Sequence, residues 1–391
     1  MQEAVIVSAC RTPIGSFMGA LSTLPATRLG ALVVEEAIRR AGIQKTDIQE
    51  VIMGNVLTAG EGQAPARQAA LFAGLPESVE CMTVNKVCGS GLKAVMLAAQ
   101  AVRVGDADIV VAGGMESMSN VPYSIEKART GLRLGHGEVT DLMVKDGLWD
   151  VYNNFHMGSA AELCARECSV PREAQDEYSI RSYQRAQEAT TKGWFREEIV
   201  PVRIASRDGD IVVEKDEDPF KTNFEKIPKL KPVFQKDGTV TAANASKIND
   251  GAAALVVMSE ERAKTMGLKP LARIVAYSSA AKKPEWFTTA PVDVIRKTLD
   301  KAGMKQEEID LFEINEAFAV VTLAVNKMLG LDEGRVNVHG GAVALGHPIG
   351  ASGARILVTL LHALRTRKKK RGMAAICIGG GEASGMIVDL A

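Results

Sequence analysis

Two thiols, one imidazole and one carboxamide are the groups in this chain whose settings could do chemistry: Cys88, Cys377, His347 and Asn315. Cys88 lies in Asn85-Lys86-Val87-Cys88-Gly89-Ser90-Gly91. The run Cys81 to Val87 leads into it, and Leu92, Val95, Met96 and Ala99 follow at helical spacing, so a strand-to-helix turn is expected there. Unpaired N–H groups and the positive end of a helix dipole favour a thiolate at such a turn, and the thiolate is the nucleophile. Gly89 and Gly91 lack Cβ and would let a substrate approach the backbone. Asn315 opens Asn315-Glu316-Ala317-Phe318 just after a predicted strand. His347 sits in the glycine-rich run Gly340 to Gly350 before a predicted helix, and Cys377 ends a predicted strand ahead of Gly379-Gly380-Gly381. A cysteine nucleophile needs a base or a cationic partner, which His347 can supply. A soft thiolate suits acyl transfer from a thioester. A second cysteine is foreign to a hydrolase, but it serves a reaction in which a proton must leave carbon, as in carbon–carbon bond formation. The neighbouring glycine N–H groups could receive an oxyanion.

Taken singly, each residue has a blander reading. Cys88 could be a small buried residue opening a core helix, His347 a structural loop histidine, Cys377 strand core, and Asn315 a helix cap. The glycine-rich runs do not read as phosphate cradles, because no Lys-Ser or Lys-Thr follows and the Gly-x-Gly-x-x-Gly pattern does not fit.

The elements that must position these residues come in a repeated order. Strands at Ala4–Ala9, Val51–Met53 and Ile109–Ala112 alternate with helices at Thr27–Ala41, Gln63–Ala73 and after Cys88, which predicts βαβ units and a largely parallel sheet. From about Met115 the next ~130 residues bring longer polar loops, several prolines and one long polar helix, Glu173–Thr190, as an inserted segment would. A buried strand returns at Ala252–Met258. The second half then repeats the first: Ala41-Gly42-Ile43 matches Ala302-Gly303-Met304, and Gly89-Ser90-Gly91-Leu92-Lys93 matches Ala351-Ser352-Gly353-Ala354-Arg355. The strand ending Gly113-Gly114-Met115-Glu116 likewise matches the one that contains Cys377. The chemical residues fall on matching turns of this repeat, and a cleft is expected where the halves meet.

Composition narrows the classes. The 391 residues are 46% hydrophobic, enough for a large core, and 47 basic residues balance 47 acidic ones, so nothing argues for general nucleic-acid or anionic-membrane binding. The basic run Arg365 to Arg371 reads as a solvated helix end. Six cysteines in a chain this long do not make a disulfide framework, and Cys164 with Cys168 lacks partners for a zinc site. The first strand begins without a charged-then-apolar leader, and no apolar run reaches the ~18 residues of a membrane span, so a soluble, cytoplasmic protein is expected.

At the motifs Asn85–Gly91, Ala112–Ser119, Asn315–Phe318, Gly340–Pro348 and Cys377–Gly381 the chain resembles the thiolase family, over essentially its whole length. The resemblance implies an α/β thiolase-like fold, two repeated βαβ-type halves layered α-β-α-β-α with an inserted loop domain. Its expected division is 1–118 with 249–270, then 119–248, then 271–391. His156-Met157 is similar to the pair lining the acyl pocket of the short-chain biosynthetic type. That implies acetyl-CoA C-acetyltransferase activity, a reversible Claisen condensation of two acetyl-CoA to acetoacetyl-CoA and CoA, with a place in fatty-acid or ketone-body metabolism. By resemblance Cys88 takes the acetyl group and His347 activates it, then holds the thioester oxygen with a water on Asn315. Cys377 moves the α-proton, and the N–H groups of Cys88 and Gly379 hold the second oxyanion. His156, Met157, Lys221, Lys226, Ala242, Ser246 and Phe318 would contact acyl group or CoA. Tyr183, Ala242, Ala243, Ala245 and Val343 correspond to the potassium ligands of one subset. No cofactor is required, CoA being substrate and product, and the implied assembly is a homotetramer with no nucleic-acid or membrane partner. His339 and Lys221 depart from the residues common at their positions. The alternatives are a broad-range 3-ketoacyl-CoA thiolase, a decarboxylating synthase (disfavoured by Cys377), a non-catalytic acyl-CoA carrier, and a redox sensor using Cys88 and Cys377.

Overall fold

The centre of the molecule is made by strands whose small and β-branched residues are buried on both faces. In the computed structural model, which describes residues 2–206 and 209–391, the strand Asn249–Ser259 is buried at every position. So are Ala4–Arg11 and Ile109–Ser117, which flank it. A ten-stranded sheet runs in the order Leu311–Ile314, Arg371–Ile378, Glu382–Leu390, Ala272–Ala281, Ala4–Arg11, Asn249–Ser259, Ile109–Ser117, Glu50–Gly54, Glu80–Val84, with Gly15–Ser16 beside Asn249–Asp250. Four strands of this order lie on one side of the contact of Ala4–Arg11 with Ala272–Ala281 and five on the other, and at that contact Val5 and Ile6 are the residues that pair across. Each half therefore carries its own sheet, and the sequence repeat is a structural repeat.

Strand direction departs from the sequence expectation. Among the described residues three strand pairings are parallel: Leu311–Ile314 with Arg371–Ile378, and Glu50–Gly54 with both Glu80–Val84 and Ile109–Ser117. The strands nearest the pseudo-axis are antiparallel. Arg371–Ile378 and Glu382–Leu390 are joined by three glycines, too short for a crossover that needs a dozen or more residues, so they must form a hairpin. In the first half the long insert returns the chain from the opposite end.

Alternation along the strands sorts side chains into layers. Val5 and Val7 face one core with the helices Ala26–Ala41 and Pro65–Phe72, while Ala4 and Ile6 face another. That second core is filled by the helices Ser90–Val104 and Ile349–Thr366, sandwiched between the two half-sheets. Ala290–Ala302 covers the far face of the second half. The layering is α-β-α-β-α, the thiolase fold. The stretch Val87–Val104 is long and apolar enough to cross a membrane, which the sequence reading had not allowed for; it is 56% buried here, as a core helix is.

The two central helices meet almost backbone to backbone. A Cβ on Gly91 would lie 2.7 Å from the Ala354 nitrogen, and one on Gly353 would strike the Leu92 nitrogen. These repeat-related glycines set the helix crossing. From the insert, Met157–Glu167 and Arg172–Thr191 pack on Ala319–Leu329. The polar character of Arg172–Thr191 is explained by its buried face, which carries Gln175, Tyr178, Ser179, Ser182 and Tyr183.

Candidate active site

Glu80–Val84 ends and Ser90–Val104 begins on either side of Cys88, which keeps partial exposure. The turn is tight. Val87 has φ 45°, a left-handed conformation that a β-branched residue rarely adopts. It is held there by the Asn85 side chain, which accepts the Val87 N–H at 3.0 Å. Ser90 Oγ accepts the Lys86 N–H at 2.8 Å and donates to the Val87 carbonyl at 2.7 Å. Gly89 and Gly91 serve this packing rather than substrate approach: a side chain on Gly89 would collide with Ile378. The thiolate expected at the helix N-terminus is not favoured. Burial pushes the Cys88 thiol up to about 11, and the N–H groups of Gly379 and of Cys88 itself only partly offset this. Loss of hydration thus favours the thiol form, and Cys88 calls for a base.

His347 provides one in a defined tautomer. Its Nδ1 lies 2.6 Å from Ser352 Oγ, and Ser352 donates its single hydroxyl hydrogen to the Pro348 carbonyl at 2.8 Å. Ser352 can then only accept from the imidazole, so Nδ1 carries the proton and Nε2 presents a lone pair. Nε2 is buried without a partner among the described residues, and burial with the Arg355 charge lowers the imidazole to about 3. A neutral, oriented base results. The Asn249 side chain fixes the His347 backbone, accepting its N–H at 3.0 Å.

Cys377 is fully buried near the end of Arg371–Ile378, and burial followed by the charge of Cys88 raises its thiol well above the ordinary value. Cys377 thus lies within range of the Cys88 charge, and the Gly379 N–H reaches Cys88 from the hairpin loop after Cys377. Asn315 follows Leu311–Ile314 directly; its Nδ2 is buried and unpartnered among the described residues, while Arg355 approaches its Oδ1 at 3.5 Å. A free amide N–H and backbone N–H groups are donors of the kind that oxyanion stabilisation requires, and the imidazole joins them once Nε2 has taken a proton.

Apolar residues close the site. Gly379 has Met157 Sδ and Val87 Cγ1 as its nearest side chains, each 3.5 Å from where a Cβ would be. Met157, Phe318 and Cys377 share one core cluster. His156 stacks on Phe234 at 4.8 Å, and Phe234 meets Phe318 edge-on at 6.3 Å. Phe234 also borders a cavity of about 390 Å³ with Ser16, Thr241, Ala242, Ala245 and Ser246. This loop docks on the Asn315 loop through the Ser246 N–H to the Ala317 carbonyl, 3.0 Å. Lys221 reaches the cavity rim, donating to Ser16 Oγ at 2.9 Å and pairing with Glu217. Lys226 is exposed and does not line the cavity. A larger cleft, about 720 Å³ and lined by Thr190, Arg196 and Lys215 among others, holds none of the chemical residues.

Two of the five groups expected to hold potassium are engaged by a lysine. Lys247 Nζ donates to the Tyr183 hydroxyl and to the Val343 carbonyl, 3.2 Å away in the latter case. His339, the other departure, stacks on Trp194 away from these groups.

Sequence reading missed several supporting residues. Ser352 was signalled by the repeat, since it matches Ser90, and each donates its hydroxyl to a carbonyl of the preceding turn. Glu116 lay in a quoted motif without a role; its carboxylate accepts from Asn55, Val56, Leu57 and Gly350, tying the His347 helix to the first half. Phe234 and Lys247 carried no local signal.

The thiolase N-terminal domain family matches residues 4–261 and the thiolase C-terminal domain family residues 268–390. Acetyl-CoA acetyltransferase 2 of Arabidopsis thaliana is 53% identical over 392 residues, 100% of this chain and 97% of the relative. The mitochondrial acetyl-CoA acetyltransferase of Bos taurus is 54% identical over 391 residues, 100% of this chain and 92% of the relative. Among solved structures, an acetyl-CoA acetyltransferase of Bacillus anthracis superposes with TM-score 0.98 at 44% identity, covering 100% of this chain and 99% of its own. The Acat5 thiolase of Ascaris suum, solved in complex with coenzyme A, gives 0.95 at 46% identity with both chains fully covered. Matched by both thiolase domains across nearly all of its length, and identical to acetyl-CoA acetyltransferases at more than half of its positions, the chain belongs to the thiolase family of acyltransferases.

Proposed function

We propose that the chain is an acetyl-CoA C-acetyltransferase that joins two acetyl-CoA into acetoacetyl-CoA and CoA, reversibly, with no resident cofactor. In the first half-reaction His347 Nε2 takes the Cys88 proton, the sulfur attacks the thioester carbonyl, and the imidazolium returns the proton to the departing CoA thiolate. In the second, His347 Nε2 takes the Cys377 proton, and the resulting Cys377 thiolate takes the α-proton of another acetyl-CoA. The enolate carbon then attacks acetyl-Cys88 and releases the Cys88 thiolate, which regains its proton from the imidazolium. The N–H groups of Cys88 and Gly379 would hold one oxyanion, and His347 with a water on Asn315 the other. The observation that carries this reading is the Gly379 N–H, from the hairpin loop after Cys377, reaching Cys88, beside a neutral imidazole in the acceptor tautomer.

The short-chain assignment is supported by Met157, which packs close to Gly379, and by the wall His156–Phe234–Phe318. CoA would lie along the cavity at Ala242 and Ser246, its phosphates toward Lys221 at the rim and Lys226 beyond it. A homotetramer remains the assembly we favour. Glu80–Val84 is an unpaired sheet edge beside exposed Leu71, Phe72 and Met82, a surface suited to self-association. Thiolysis rates across 3-ketoacyl-CoA chain lengths test the reading. Acetoacetyl-CoA should be turned over fastest, and rapid turnover of long chains would contradict it.

A further inference from the structure

Lys247 stands where three segments of the proposed site converge. Its ammonium donates to the hydroxyl of Tyr183, which is fully buried on Arg172–Thr191, and lies 4.6 Å from the centre of that ring. It also donates to the carbonyl of Val343, in the short helical turn Ala342–Leu345 that leads into His347. Lys247 itself belongs to the loop that forms the cavity wall with Ala242, Ala245 and Ser246. A lysine ammonium is a compact point charge with three donors, and hydroxyl and carbonyl oxygens are the ligands that a monovalent cation such as potassium takes.

We infer that the Lys247 ammonium is a built-in monovalent cation that fixes the CoA-side loop against Tyr183 and Val343, and that the chain is independent of potassium. Lys247 is a positioning residue. It holds the wall against which CoA would lie, and through Val343 it steadies the run that carries His347. A second monovalent cation about 4 Å from this ammonium would bind on the order of a thousandfold more weakly near a protein surface, so the two occupants exclude each other. The inference rests on the proposed function for its kinetic readouts but not for its stability readout.

The test compares the wild type with Lys247→Ala and Lys247→Met in potassium, ammonium or choline chloride at equal ionic strength. The readouts are acetoacetyl-CoA thiolysis and melting temperature. The wild type should show the same KM for CoA and the same melting temperature in potassium and in choline. Lys247→Ala should show a KM for CoA raised about tenfold in choline, with kcat less affected, and potassium or ammonium should restore most of the loss. Potassium should also raise the melting temperature of the variants alone. Lys247→Met keeps the aliphatic stem and supplies the melting readout should the alanine variant not accumulate. Several-fold potassium activation of the wild type would overturn the inference, as would variants whose KM and melting temperature ignore the cation. A wild type inactive on acetoacetyl-CoA would sink the proposed function while the melting series still decided the role of Lys247.

Discussion

Removing the Ser352 hydroxyl isolates the orientation of His347 from every group that touches substrate. Ser352→Ala takes away the acceptor 2.6 Å from Nδ1, leaving a buried imidazole free to protonate either nitrogen. An unsatisfied buried donor costs about 1–3 kcal/mol. Moving the proton to Nε2 relieves that cost but abolishes the lone pair that Cys88 needs. If the same 1–3 kcal/mol falls on the acylation barrier, the rate drops by about 5- to 150-fold. The assay is rapid mixing with acetyl-CoA, an acid quench and intact mass, giving the rate of acetyl-enzyme formation. Tautomer balance does not depend on pH, so the loss should be constant from about pH 6 to 9. Ser352 does not line the cavity at Ala242 and Ser246 where CoA is proposed to lie, so the acetyl-CoA concentration giving half-maximal rate should be unchanged. Acylation at the wild-type rate, or a loss confined to that concentration, would refute the tautomer argument.

Alkylation of Cys88 by iodoacetamide should keep rising with pH beyond 9, because burial raises the thiol to about 11 and the thiolate fraction grows about tenfold per pH unit below that. A plateau at pH 8 would mean the helix dipole had won after all. Gly91→Ala places a Cβ 2.7 Å from the Ala354 backbone nitrogen, where nothing flexible can yield. It should destabilise the fold by about 1–3 kcal/mol, seen as a lower melting temperature, and a neutral effect would show that the central helices are not locked by their glycines.

Much of the arrangement was legible in the chain because it is written locally. Cys88, Asn315, His347 and Cys377 each sit where a buried strand stops or a helix starts, and period and small residues mark those points without tertiary information. The internal repeat paired the turns, and the match of Ser352 with Ser90 was the one signal through which Ser352 could have been found. What escaped depends on long-range geometry. Strand direction at Asn249–Ser259 follows from where a long insert re-enters, which no local pattern records. The protonation of Cys88 is a contest between desolvation and dipole, and burial depth decides it only in the folded state. Gly89 and Gly91 were read as openings for substrate, but Ile378 and Ala354 fill that space. Lys247 joins Tyr183 and Val343 across long sequence separations, which no local pattern records.

The central claim divides labour between two thiols: Cys88 carries the acyl group and Cys377 handles the proton on carbon. Intact mass and peptide mapping of Cys377→Ala after acetyl-CoA, read beside its condensation rate, test that division most directly. The account predicts one acetyl group on the peptide containing Cys88, as in the wild type, with acetoacetyl-CoA formation lost. A label on any other residue, or condensation at the wild-type rate, would contradict it.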